Sequence, residues 1–98
     1  MANQYTATSV RKLVDKYFSL QWCRDNLVVP LYIEPSLPLN PGILKIAIAN
    51  YSYLGTIAEP IKQRILQSGE NLKCEFVEKS QEEIQEILDD ASEERFIS

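Results

Sequence analysis

Two short runs rich in branched aliphatic residues, 27–33 and 43–49, stand on either side of a segment punctuated by Pro35, Pro38 and the Pro41-Gly42 pair. Runs of this length and composition read as strands, and the prolines between them mark an exposed connection. The two strands are therefore expected to lie side by side and antiparallel. In the second run Leu44, Ile46 and Ile48 alternate with Ile43, Lys45, Ala47 and Ala49, one large apolar face against a smaller one. Pro30 has no N–H to give to a ladder, which places the first strand at a sheet edge or at a bulge.

Helical spacing occupies most of the rest. Val10, Leu13, Val14, Tyr17 and Phe18 form an apolar stripe that predicts a helix over 9–24, with Ser9 as N-cap. The pattern weakens at Ser19, so 20–25 is expected to form a separate helical turn. Residues 50–55 read as a polar and aromatic loop. Ile57, Ile61, Ile65 and Leu66 then predict a second helix ending at Gly69, and Pro60 places its regular part at or after that residue. In 72–77, Leu72, Cys74 and Phe76 alternate with Lys73, Glu75 and Val77, a third strand. Ser80-Gln81-Glu82-Glu83 is a capping-box sequence, and Ile84, Ile87, Leu88 and Ala91 supply the apolar stripe of a last helix. The expected fold is α+β, a small three-stranded sheet packed with helices in the order α-β-β-α-β-α. Residues 1–8 are expected to be a flexible N-terminus, 9–92 the domain, and 93–98 a tail or the start of a linker.

At 98 residues the chain has room for one core, and its apolar fraction of 45% is that of an ordinary globular domain. No apolar run has the length of a membrane span, and no signal-like segment opens the sequence, so the expected location is the cytoplasm. Charge is divided unevenly. Residues 1–69 hold seven Lys and Arg against four Asp and Glu, and 70–98 hold three against ten. Nucleic-acid binding draws its nonspecific affinity from a concentrated basic surface, which this chain lacks; Arg11, Lys12 and Lys16 read as a solvated helix face. Cys23 and Cys74 without any histidine do not make the usual structural zinc site, and buried reduced thiols are expected, with a disulfide as the minor alternative.

The order of these elements, with Val28-Val29-Pro30-Leu31 ahead of Ile43-Leu44-Lys45-Ile46-Ala47-Ile48-Ala49-Asn50, resembles the N-terminal domain of the type II secretion and type IV pilus assembly ATPases of bacteria. In that family a V-P-L strand precedes an L-x-V-A-x-x-[D/N] strand, a helix, a third strand and a Glu-rich helix. Trp22-Cys23-Arg24 occupies the place of the short helix that carries a basic residue before V-P-L. The resemblance spans residues 17–91. It implies a docking or regulatory module for the motor, held at the cytoplasmic face by a cytoplasmic domain of an inner-membrane assembly component, with no cofactor, no nucleic acid and no insertion into the membrane. Asn50 keeps the family pattern, whereas Tyr51 stands where the family usually has Pro.

That departure selects Tyr51, Tyr53 and Leu54 as candidate partner-binding residues: two tyrosines beside a leucine either anchor an interface or close the end of the core. Trp22 is expected in the core. Nucleotide hydrolysis needs a Gly-rich phosphate loop, and none of Gly42, Gly55 and Gly69 begins G-x-x-x-x-G-K. With no histidine to serve as base or to activate a thiol, an enzyme is not expected. The carboxylates Glu82, Glu83, Glu86, Asp89, Asp90, Glu93 and Glu94 read as the solvated face of the last helix and lack calcium-loop spacing. The alternative function is a sensor for a nucleotide second messenger such as cyclic di-GMP. Relatives that bind it carry repeated R-L-G-x-x-L segments, and Val10-Arg11-Lys12-Leu13-Val14 has the Arg without the Gly.

Overall fold

The computed structural model describes residues 5–34 and 41–97. Four helices and a three-stranded sheet follow one another as α1 Ala7–Tyr17, α2 Leu20–Asn26, β1 Val28–Glu34, β2 Gly42–Ile48, α3 Leu54–Ser68, β3 Leu72–Glu78 and α4 Gln81–Ile97. This is the α+β arrangement expected from the sequence. Met1 to Gln4, Pro35, Pro38 and Ser98 lie outside the described residues.

Helix α1 starts two residues earlier than the apolar stripe suggests. Thr6, not Ser9, is its N-cap: the Thr6 hydroxyl accepts the Ser9 N–H at 3.1 Å, and the Ser9 hydroxyl accepts the Thr6 N–H at 2.9 Å. Two hydroxyl residues three apart satisfy each other's orphan donors, so the pair forms a capping box in which Ser9 is the inner member. Tyr5 already packs on the core, so the ordered body begins within the segment expected to be loose. The helix ends at Tyr17, and Ser19 caps α2 by accepting the Trp22 N–H at 3.1 Å. Leu27 closes α2 in the left-handed conformation with φ 54°, which removes it from the strand in which it was expected. A branched side chain there costs about 1–2 kcal/mol.

Strand β1 pairs antiparallel with β2, from Val28 opposite Ile48 to Glu34 opposite Ile43, with an irregularity between Pro30 and Tyr32. The Ala49 N–H donates to the Leu27 carbonyl at 3.2 Å. Odd residues at this end of β1 therefore turn their backbone groups toward β2, and Pro30 turns its nitrogen away. Both readings of Pro30 hold: it lies on an edge strand and at a register shift. The third strand, β3, pairs with β2 in parallel from Gly42 opposite Leu72 to Ile48 opposite Glu78, giving the sheet order β1-β2-β3.

Two expectations for the last helices need correction. Asn50 caps a 3-10 turn at Tyr51–Tyr53, accepting the Ser52 N–H at 2.9 Å, and α3 follows at once, so Pro60 lies inside the helix. Its missing N–H leaves only the Thr56 carbonyl without the usual donor, and Thr56 and Pro60 are both exposed to water. Ile57, Ile61 and Ile65 are buried on both sides of that break and hold the two halves on one axis. Gly69 ends the segment with φ 79°, as expected of a C′ glycine. Helix α4 continues to Ile97, past the end of its apolar stripe, because 92–97 contain neither Pro nor Gly to stop it.

The core is one cluster. Leu44, Ile46 and Ile48 of β2 lie buried with Val10 and Val14 of α1, Cys23 of α2, Val28 and Val29 of β1, Ile61 of α3, and Ile84, Leu88 and Ala91 of α4. Helix α1 packs against β1, α3 and α4, and α4 also reaches α2 and β1. Among the described residues no helix is long and apolar enough to cross a membrane.

Candidate protein-interaction site

The hydrogen bonds at the two ends of the β2–β3 ladder determine which backbone groups of β3 are free. The Gly42 N–H donates to Asn71 at 3.2 Å and the Lys79 N–H to Ile48 at 3.0 Å. With Gly42 opposite Leu72 and Ile48 opposite Glu78, the even residues of β2 bond to the odd residues of β3 throughout. Leu72, Cys74, Phe76 and Glu78 consequently point their N–H and C=O groups away from the sheet. Among the described residues β3 pairs with no second strand, so this row is an open edge.

The side chains along the edge divide by parity. Leu72, Cys74 and Phe76 are half-buried on the side of the sheet that carries Leu44 and Ile46, while Lys73 and Glu75 are exposed on the other. Glu75 forms an ion pair with Lys45, its neighbour on β2. Beside the first half of the strand runs a groove of about 540 Å³ lined by Lys62 and Leu66 of α3 and by Leu72 and Cys74. Leu66, 72% exposed, is the barest large apolar side chain on the described surface. Burial raises the Cys74 thiol pKa, partly offset by the charge of Lys62.

Of the three residues singled out in the sequence, Tyr51 belongs to this edge. Its hydroxyl donates to the outward carbonyl of Phe76 at 2.7 Å, its N–H meets the Glu78 carboxylate at 3.4 Å, and its ring is 45% exposed. Tyr51 thus takes part of the Phe76 carbonyl and the Glu78 carboxylate, and touches neither Leu72 nor Cys74 by a hydrogen bond. Leu54 instead packs against the core as the first residue of α3, and the side chain of Tyr53 lies outside the described residues. The open edge itself was missed in the sequence. Its only sequence trace is a strand without Pro, and the direction of its backbone groups depends on a register that no residue of β3 announces.

The other candidates resolve into structural contacts. Trp22 is half-buried, stacked on Phe18 at 5.5 Å between ring centroids, with the Arg64 guanidinium 5.4 Å over its ring. Arg64 also donates to the Tyr17 carbonyl at 3.2 Å, so this cation ties α3 to the end of α1. Arg11 pairs with Asp15 at 3.1 Å and Lys16 with Glu70 at 2.8 Å; Glu70 also accepts the Tyr17 hydroxyl. Glu82, Glu83, Glu86, Asp89 and Asp90 are exposed on α4, and Asp89 meets Arg24 at 3.1 Å. Glu93 and Glu94 have side chains outside the described residues. No group of three or more metal-ligating side chains forms among the described residues. Both cysteines are free, and burial pushes the Cys23 thiol up to about 12 despite the nearby Arg64 charge.

A crevice of about 600 Å³ opens where α2, the C-terminal end of β2 and the starts of α3 and α4 meet, lined by Asp25, Asn26, Asn50, Thr56 and Gln81 among others. Among the described residues its one charged lining residue is Asp25, the wrong sign for an anionic ligand. Comparison of the chain with family models, with curated proteins and with solved structures finds no match.

Proposed function

We propose that this chain is a noncatalytic protein-interaction module that accepts an extended protein segment at the open edge of β3. The observation that carries this reading is the row of outward N–H and C=O groups at Leu72 and Cys74, set beside a groove with an exposed Leu66. An unpaired strand edge recognises another strand by its backbone, and pockets beside it select alternate side chains. Tyr51 borders the site at Phe76, where it uses one lone pair of the outward carbonyl and leaves the other for an arriving strand, a place in recognition without being the principal anchor. The similarity of Val28 to Leu31 and of Ile43 to Asn50 to the secretion and pilus motor family supports a docking role beside a motor, with a cytoplasmic domain of an inner-membrane component as the family's kind of partner.

Cys74→Pro tests the proposal. The Cys74 N–H points outward, so its loss removes a docking donor and no ladder bond. The expected result is a variant with the parental circular dichroism spectrum that no longer associates, with itself or with such a partner domain, by sedimentation velocity. Association of the folded variant at parental strength would show that β3 is not the docking edge.

A further inference from the structure

We infer that the segment that completes this edge is β3 of a second copy of the chain, laid antiparallel with Cys74 of both copies at the two-fold axis. This rests on the reading of β3 as the docking edge and adds the identity of its occupant. The argument is one of register. With Cys74 opposite Cys74, Lys73 of each copy faces Glu75 of the other, and Leu72 faces Phe76. Opposite charges meet twice on the exposed side, and apolar side chains meet twice on the core side; the like-charge facing of Glu70 and Glu78 falls beyond the 72–76 pairs, with Glu70 outside β3 and held by Lys16. Moving the axis to residue 73 sets Lys73 against Lys73, and moving it to residue 75 sets Glu75 against Glu75, each a like-charge pair directly across the seam. With the axis at Phe76, Lys73 opposes Lys79 and Cys74 opposes Glu78. The axis at Leu72 brings Glu70 against Cys74 and leaves only the start of the strand paired.

The backbone agrees with this choice. Leu72, Cys74 and Phe76 all face outward, so Cys74 with Cys74 and Leu72 with Phe76 are hydrogen-bonded pairs in the joined sheet. The Phe76 carbonyl that receives the Tyr51 hydroxyl keeps a second lone pair for the incoming Leu72 N–H. On the exposed side the arriving Lys73 extends the existing Lys45–Glu75 pair into a row of alternating charge. Because the two-fold stands perpendicular to the sheet, the exposed Leu66 of both copies falls on the same side of the seam, next to Leu72 and Cys74. The patch is self-complementary, as a symmetric dimer requires.

Sedimentation velocity on the full chain, Lys73→Glu, Glu75→Lys and an equimolar mixture of the two variants tests the inference. Parental chain is expected to dimerise. Each single reversal makes two like-charge pairs and weakens the dimer about tenfold or more. The mixture restores both ion pairs in a heterodimer and recovers parental affinity to within about threefold. A second measurement uses the thiol: diamide is expected to trap a covalent dimer through Cys74, since directly opposed residues of this kind have Cα atoms about 5.5 Å apart. That product is lost in Cys74→Ala and kept in Cys23→Ala. A parental chain that stays monomeric at about 1 mM, or a dimer indifferent to both reversals, overturns the inference. If Cys74→Pro still abolishes binding of another protein in that case, the docking edge stands and only its occupant was misassigned.

Discussion

Substituting proline at successive positions of β3 separates residues by the direction of their backbone groups alone. Glu75→Pro removes an N–H that faces β2, where the alternation set by the Gly42 and Lys79 bonds pairs it with the carbonyl of Leu44, a residue with no exposed surface. The lost bond counts for about 1 kcal/mol and the stranded buried acceptor for about 1–3 more, so Glu75→Pro destabilises the fold by about 2–4 kcal/mol. Cys74→Pro leaves every β2–β3 bond in place. Its altered φ and the lost half-buried thiol are offset in part by the reduced freedom of the unfolded chain, and the expected change is within about 1 kcal/mol. For a domain of this size the difference between the variants appears as about 10–20 °C in melting temperature. Thermal melts followed by circular dichroism, at a concentration where both variants are monomeric, read it directly. Equal destabilisation by the two prolines, or a larger loss at Cys74, would refute the assignment of the outward row.

Other consequences follow from the same contacts. Leu88→Ala, which empties a site with no exposed surface where α4 meets the core, costs about 2–5 kcal/mol in urea unfolding. Tyr51→Phe keeps the ring and frees the Phe76 carbonyl; it loses no more than about 1 kcal/mol of stability, and amide exchange is expected to rise at β3 near Phe76 and not at β1. Cys23 titrates at about 12 in the fold against 9.0 ordinarily. The unfolded chain therefore gives up that proton first, so the contribution is complete below pH 9 and is lost as pH rises from 9 toward 12. Cys23→Ala flattens that part of the stability profile, checked by urea titrations between pH 8 and pH 11. At pH 8 a thiol reagent such as dithionitrobenzoate is expected to modify Cys74 well before Cys23, with both reacting at once in denaturant.

The sequence made the order of elements legible because each is written in side-chain periodicity, and the sheet and helices obey it. Punctuation was legible where one residue has one meaning: Gly69 ends α3 in a positive φ, and Ser19 interrupts the first helical stripe to cap α2. It failed where two residues offer the same chemistry or where packing overrides a local rule. Thr6 and Ser9 are both capping residues, and their reciprocal bonds make Thr6 the cap. Pro60 sits inside α3 because the Thr56 carbonyl that loses its donor belongs to an exposed residue, as Pro60 is, and the buried isoleucines on either side keep the axis. For Tyr51, chosen from the sequence for an interaction role, the structure shows a contact within the chain. Its hydroxyl occupies a backbone carbonyl of β3, a relation between residues 25 apart that no local pattern encodes.

The two edges of the sheet differ in what they offer an arriving strand, and the contrast bears on the proposed docking edge. On β1 the outward position holds Pro30, which offers no N–H, the register is irregular immediately afterwards, and α1 packs along the strand. The proline and the irregular register both hinder a further strand from adding. On β3 the outward positions of Leu72 and Cys74 keep their N–H groups, and the register with β2 is regular over its whole length. The protection that β3 does carry is charge, Lys73 and Glu75, on the one face where an arriving strand must place its own side chains opposite them. Charge of that kind excludes a partner of the wrong sign and admits one of the right pattern, whereas proline excludes every partner. Lys73 and Glu75 thus discourage an arriving strand of the wrong charge pattern and leave the edge open to the pairing proposed above. A chain carrying Lys73→Ala with Glu75→Ala loses this charge guard without gaining a steric block, and it is expected to pair in several registers, seen as a lower yield of the diamide-trapped Cys74–Cys74 dimer than the parental chain gives at the same dimer fraction; an unchanged yield would show that charge does not set the register of this edge.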